Sequence, residues 1–390
     1  MTLTVLTDDQ IRSLLENLTA AELEGFRGAL ASALHEYSTG GKVGETAIHQ
    51  PERISVHSTA TGATTLFMPS CNSAGNGVKV ITLTSATATA TAAPTPTPQN
   101  TKPAIIRPTG AITLFTPSGT PHGLLHASTL TAFRTALASL CLVQARTAPL
   151  KTLVVFGCGE QAYWHVRLTL LACGREEVER VVFVNRRVSR SSREVVARFT
   201  EGVVGEGGRG RCTFEVWTRE EEGFEGRLGA VLREADVVFC CTPSTEPLFD
   251  AEVLLGAEGQ GKKGRLVVAI GSYTPEMREV PAGLIRQALA GGEREAGAVV
   301  VDTIEGALKE AGELIELGVG PEQLVELGEL VELKEGETAA GTKRHNLAQW
   351  LQTGNVIYKS VGLGLMDLAI GMHVIEFAKE KGVGTHVQGF

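Results

Sequence analysis

Apolar positions in the first third of the chain change period several times. Ile11, Leu14, Leu15 and Leu18 recur at helical spacing, and Thr7 with Gln10 forms a capping box ahead of them, so a helix is predicted over 8–37. Short β-like segments follow: RISVHS (53–58), TTLFMP (64–69), VKVITL (78–83), AIIRP (104–108) and AITLFT (111–116). A helix is predicted over 126–146. Beyond it, continuous apolar runs alternate with helical spacing, and strands are expected near 152–156, 180–184, 212–217, 236–240, 265–270 and 298–301. Such alternation means βαβ units around a parallel sheet, an α/β doubly wound fold. The tail, VIYKSVGLGLMDLAIGMHVIEFAKEK, reads as one long apolar-periodic helix with no strand after it. It is expected to return to the N-terminal domain, which makes that domain discontinuous.

Between the third and fourth β-like segments lies SATATATAAPTPTPQNTKP (85–103). This tract has no apolar face, so it reads as an exposed, mobile insertion sooner than as a partner-binding segment. The expected boundaries are a first domain of 1–146 with 340–390, and a second of 147–339.

Composition narrows the function classes. The 390 residues are 43% hydrophobic and 21% charged, with a net charge of −8, and like charges are not grouped in blocks. An acidic, mixed surface carries no electrostatic footprint for DNA or RNA. The sequence has no run of about 18 uncharged apolar residues, so a membrane span is not expected. MTLTVLTDDQ lacks a basic segment followed by an apolar one, so secretion is not signalled. The seven cysteines contain no C-x-x-C and fall largely in apolar runs. They read as reduced thiols of a cytoplasmic protein, with neither a disulfide framework nor a zinc site, and the vicinal Cys240–Cys241 pair is read the same way.

The stretch LKTLVVFGCGEQA places Gly157 and Gly159 after a buried strand and before a helix, with Ala162 where a third glycine often stands. The first glycine permits a tight turn, and the second lets the backbone approach a pyrophosphate. The small third residue allows close helix–sheet packing, with phosphates at the helix N-terminus. The next strand ends in VVFVNRRVSR, offering Asn185, Arg186 and Arg187 where an NAD site usually carries an acidic residue. Arginine there suits a ribose 2′-phosphate through charge-assisted hydrogen bonds, which favours NADP(H) over NAD(H).

Three basic residues bear on chemistry. Lys79, in VKVITL, shares its face with Ile81 and Leu83. Spacing alone leaves two readings, an edge gatekeeper or a partly buried amine of lowered pKa, and slightly favours the gatekeeper. Arg134 lies among Leu130, Phe133, Ala136, Leu137 and Leu140, so its guanidinium should have a specific anionic partner, either a structural carboxylate or that of a substrate. Arg53 starts a predicted strand and alone is unremarkable. His122, His126 and His165 lack metal-ligand spacing and read as surface or satisfied core residues.

Nine segments occur in an order that resembles the ornithine cyclodeaminase/μ-crystallin family: FMPS, GVKVITL, TLTAFRTALASL, VVFGCGEQA, VNRR, CTPSTEPLF, AIGSYTPEMREV, VVVDTIEGALKEAGEL and YKSVGLGLMDLAIG. The resemblance runs from about Arg53 to the C-terminus, interrupted by the 85–103 insertion. It implies a Rossmann domain paired with a discontinuous α/β domain that binds substrate and makes a homodimer. It further implies that Lys79 is the active-site lysine, and that Arg53 and Arg134 grip a substrate carboxylate. Gly157, Gly159, Gln161 and Ala162 match the phosphate loop. Thr242, Gly271 and Ser360 fall in segments resembling those at the nicotinamide end, and Thr135, beside Arg134, joins the cofactor-binding set. One departure stands out: where cyclodeaminases carry an aspartate in a segment resembling GGDCPGKTE, this chain reads GSYTPEMRE, with Tyr273 in its place. A tyrosine hydroxyl is a poor base near neutrality.

The expected function is therefore NADPH-dependent reduction of a cyclic or acyclic imino acid to an α-amino acid, or the reverse oxidation. Two rivals are an ornithine cyclodeaminase using bound NAD, and a non-catalytic, NADPH-dependent small-ligand binder of the μ-crystallin kind.

Overall fold

The computed structural model describes residues 2–40, 48–84, 108–174, 177–200, 212–255, 264–290, 298–331, 333 and 343–390. Its strands in chain order are β1 (Thr2–Leu6), β2 (Ile54–His57), β3 (Ala63–Asn72), β4 (Gly75–Thr84), β5 (Thr109–Phe115), β6 (Pro121–His126), β7 (Thr152–Phe156), β8 (Arg180–Asn185), β9 (Thr213–Thr218), β10 (Val237–Cys240), β11 (Leu266–Ala269), β12 (Val299–Val301), β13 (Leu324–Glu326), β14 (Val356–Lys359) and β15 (Thr385–Gln388). The helices used below are α1 (Asp8–Glu16), α2 (Ala20–Thr39), α3 (Ala127–Ala145), α4 (Glu160–Cys173), α5 (Arg190–Thr200) and the C-terminal helix Gly364–Glu380.

The chain forms two compact units: Met1–Leu18, Gly40–Arg134 and Leu363–Phe390 in the first, Thr19–Thr39 and Thr135–Gly362 in the second. These bounds differ from those expected, because α2, the later part of α3 and β14 belong with the second unit.

The first unit is built on a seven-stranded sheet of order β15-β1-β6-β5-β4-β3-β2, antiparallel except where β1 meets β6. One face carries Leu66, Met68, Lys79, Ile81, Ile112, Leu114 and Leu125, all buried, and the C-terminal helix packs against β3, β4, β5 and β6. The other face carries Ile54, Phe67, Val80 and Leu124, of which Ile54 is 60% exposed and Leu124 38%. Both faces are thus apolar, and among the described residues one is partly open.

The second unit holds an eight-stranded, all-parallel sheet of order β13-β12-β14-β11-β10-β7-β8-β9. Strands such as TLVVF (β7) and LVVA (β11) are buried at every position, as strands covered on both sides must be. Chain order reverses on either side of β7, between β8 and β10, which is the doubly wound switch point where such folds bind ligands.

Several expectations need correction. The helix expected over 8–37 is two helices. Asn17 ends α1, and Thr19 starts a second capping box in which its N–H donates to Glu22 Oε2 at 2.8 Å and Glu22 N–H donates to Thr19 Oγ1 at 3.2 Å. The tail is not one helix: VIYK is strand β14, inserted between β11 and β12, and β15 follows the helix to pair with β1. Strands β1, β6 and β13 have no counterpart among the expected segments. The 85–103 insertion, and AIIRP up to residue 107, lie outside the described residues.

Candidate active site

Lys79 projects from β4 onto the face covered by the C-terminal helix and is 3% exposed. Its Nζ lies 2.8 Å from Oδ2 of Asp367, which the helix presents from its first turn. Arg134, on α3 and 4% exposed, donates from Nε to Asp367 Oδ1 at 3.3 Å, and its Nη1 lies 3.2 Å from Met366 Sδ. Two buried cations therefore share one buried carboxylate. Burial pulls the Lys79 amine down to about 8; Asp367 opposes that, while the charges of Arg134 and Arg53 add to it. Arg53, half-buried just ahead of β2, is thus near enough for its charge to be felt at the amine. The gatekeeper reading of Lys79 fails, since the residue lies on an inner strand's covered face. Among the two partners left open for Arg134, the structure supplies Asp367, which sequence reasoning missed. The only signal was an acidic residue within the apolar run GLMDLAIG.

An uncompensated buried charge is costly, and a lysine can relieve the cost by releasing its proton. A bound anion relieves it equally well. The cluster is thus suited to a carboxylate ligand beside an amine that titrates near neutrality.

In the second unit, Gly157 ends β7 with φ +107°, and its N–H donates to Val184 O at 2.8 Å, joining the turn to β8. A Cβ there would sit 3.0 Å from Cys241 O, so the position needs glycine for both conformation and space. Gly159 is the N-cap of α4, with no side-chain cap, and a Cβ built on it meets nothing within 4 Å. Open space beside the N-cap of α4 fits a pyrophosphate at that helix N-terminus. Gln161 is half-buried in that turn and Ala162 is wholly buried.

Past β8, Asn185 Nδ2 donates to Arg187 O at 3.0 Å and to Ser189 Oγ at 3.3 Å, closing a turn. Arg186 and Arg187 are exposed there and form no salt bridge among the described residues. Thr242 and Gly271 follow β10 and β11 and touch: a Cβ on Gly271 would fall 2.4 Å from the Thr242 nitrogen. Ser360 follows β14 and donates from Oγ to Asp302 Oδ2 at 2.6 Å. Thr135 is buried on α3, and Tyr273 is half-buried after β11. His165 is a satisfied core residue; its ring nitrogens lie 2.7 Å from Gln161 O and 2.8 Å from Ser139 Oγ.

The family model of the ornithine cyclodeaminase/mu-crystallin family matches residues 10–382. The chain belongs to that family. Curated relatives include the Delta(1)-pyrroline-2-carboxylate reductase of Bacillus cereus, 28% identical over 277 residues that make up 70% of this chain and 71% of the relative. The iminosuccinate reductase of Paracoccus denitrificans is 27% identical, over 74% of this chain and 77% of its own. Among solved structures, the Thermococcus litoralis Delta(1)-pyrroline-2-carboxylate reductase with NADH and L-proline matches with a TM-score of 0.70 at 20% identity, covering 98% of this chain and 100% of that one. That likeness shows the fold.

Proposed function

We propose that the chain is a nicotinamide-dependent oxidoreductase that reduces the carbon–nitrogen double bond of an imino acid to an α-amino acid, and can run the reverse oxidation. The observation that carries this reading is the buried Lys79–Asp367–Arg134 cluster, with one cation in excess. Arg53 and Arg134 hold the substrate carboxylate, which restricts how the imine is presented and so removes orientational freedom from the reaction. When bound, the nicotinamide supplies the hydride. Lys79, protonated, gives its proton to the imine nitrogen, and Asp367 aims the ammonium. Hydride at carbon and proton at nitrogen balance the reduction.

Gly157, Gly159, Gln161 and Ala162 hold the pyrophosphate in this reading, while Thr135, Thr242, Gly271 and Ser360 serve the rest of the dinucleotide. Asn185, Arg186 and Arg187 receive the ribose end, and two exposed arginines that form no ion pair among the described residues favour NADPH over NADH. With Tyr273 where cyclodeaminases have aspartate, ring-closing deamination lacks its base, and a pure ligand binder has no use for a buried amine of lowered pKa.

Among the described residues no helix is long and apolar enough to cross a membrane, and all seven cysteines are free, which supports a reducing compartment such as the cytoplasm. The open sheet face of the first unit supports a homodimer. The deciding experiment measures NADPH and NADH oxidation with a panel of cyclic imino acids, and with α-keto acids plus ammonia or methylamine. Turnover with at least one imine supports the reading. Ammonia release from ornithine without cofactor consumption would replace it with cyclodeamination.

A further inference from the structure

Beneath the loops that follow β10 and β11 lies a second buried ionic group. Glu279 is fully buried, and its carboxylate collects backbone donors from both loops: Thr242 N–H at 3.1 Å on Oε1, and Gly271 and Ser272 N–H at 2.8 and 3.0 Å on Oε2. The Ser272 hydroxyl donates to Oε2 as well, at 3.2 Å. Lys359, at the end of β14 and 1% exposed, donates to Ser272 O at 2.9 Å, and its Nζ lies 3.7 Å from Glu279 and 3.4 Å from Glu313. Glu313, on the short helix Gly312–Glu316, receives no hydrogen bond on either oxygen among the described residues.

We infer that Glu279 is a positioning residue for the nicotinamide end of the cofactor: its single carboxylate clamps Thr242, Gly271 and Ser272 in one arrangement, and through Ser272 it sets Tyr273. The inference rests on the nucleotide reading above. It follows from geometry, because one carboxylate accepts from both loops and lies 3.7 Å from Lys359 Nζ at the end of β14, and neutral partners would hold the three N–H donors less strongly than a carboxylate does. Burial pushes the Glu279 carboxyl up to about 7; Lys359 and the N–H donors oppose that shift, and Glu313 reinforces it. Among the described residues the Cys240 and Cys241 thiols also face it, both driven well above their usual range by burial and so neutral near pH 7. Protonation near neutrality weakens the clamp, so the ring should be held less well at pH 6 than at pH 8.

The test uses binding, not turnover. NADH is compared with ADP-ribose, and NADPH with 2′-phospho-ADP-ribose, by calorimetry on the full chain and on Glu279→Gln; within each pair only the ring differs. The wild type should bind both dinucleotides several-fold more weakly at pH 6 than at pH 8 relative to their ring-less partners. Glu279→Gln should weaken the dinucleotides about tenfold, the scale of hydrogen bonds to one charged group. It should leave the ring-less ligands unchanged, which also reports that the variant is folded, and it should abolish the pH effect. Equal loss for all four ligands, or no loss for any, overturns the inference while leaving the nucleotide reading intact. Failure of the wild type to bind any of the four overturns the nucleotide reading itself, and the inference with it.

Discussion

Lys79 and Arg134 take one oxygen each of Asp367, so the protonation of the amine is set by a short list of named neighbours. With the amine titrating at about 8, it is an ammonium below that pH and can act as the acid. The kcat/KM for imine reduction should therefore hold at neutral pH and fall as pH rises through about 8, and the amino-acid oxidation should show the mirror profile. Lys79→Met should lower kcat/KM by about 10²–10⁴-fold, the usual worth of a general acid, with cofactor Kd unchanged. Unaltered turnover would remove Lys79 from the mechanism. Asp367→Asn removes the one group that raises the amine's pKa while burial and both arginines still lower it. The inflection should move to lower pH, and two buried cations are left without a counter-charge. Breaking a buried pair in that way costs about 3–5 kcal/mol, and the cost here falls at the low end because the amine can shed its proton. Urea unfolding measures the stability, and the pH profile of turnover measures the shift.

Strand β7, its glycine turn and α4 were legible in the sequence because each step has its own local signal: a continuous apolar run, a turn residue, then helical spacing. Lys79 was legible as an oddity but not as a buried group, since alternation assigns a strand face without saying what covers it. The cover is the C-terminal helix, nearly three hundred residues away in sequence, and Asp367 comes with it. Four-residue VIYK could not be told from helix by period, and only pairing with β11 and β12 makes it a strand. The break at 17–19 is masked in the sequence because Leu18 continues the spacing of Ile11, Leu14 and Leu15 across it, although the capping box of Thr19 and Glu22 is written plainly in TAAE. The chain passes from the first unit to the second at that break. Thr19→Ala removes the N-cap acceptor and the hydroxyl that donates to Glu22 at 2.8 Å, and should cost about 1 kcal/mol. In a chain of this size that appears as a fall of roughly 2–4 °C in Tm, with cofactor binding unchanged.

At the scale of the whole molecule, the sheet of the first unit has an apolar face that no described element covers in full, with Ile54 60% and Phe67 36% exposed. Ile54 pairs across to Phe67, and Phe67 to Val80, so three strands place adjoining apolar side chains in one row. Leu124 on β6 and Val387 on β15 add to the same side, at 38% and 39% exposure. Contiguous apolar patches beyond a few hundred Å² on a soluble protein mark sites of association. The edge strand β2 is exposed at all four positions, Ile54 and Val56 included, and an uncovered edge of this kind invites further pairing. A second copy of the same sheet satisfies both demands, because a two-fold interface sets like surfaces against each other. The chain of 41.3 kDa should therefore run at twice that mass in light scattering coupled to size exclusion. Phe67→Lys puts a charge in the middle of the row, where a monomer leaves it in water and a dimer buries it. The variant should fold with near-normal stability, run at the mass of one chain, and keep its affinity for dinucleotide, whose proposed loop lies wholly in the second unit. A wild type that runs as a monomer at micromolar concentration, or a Phe67→Lys variant that stays dimeric, would assign that apolar face some other cover.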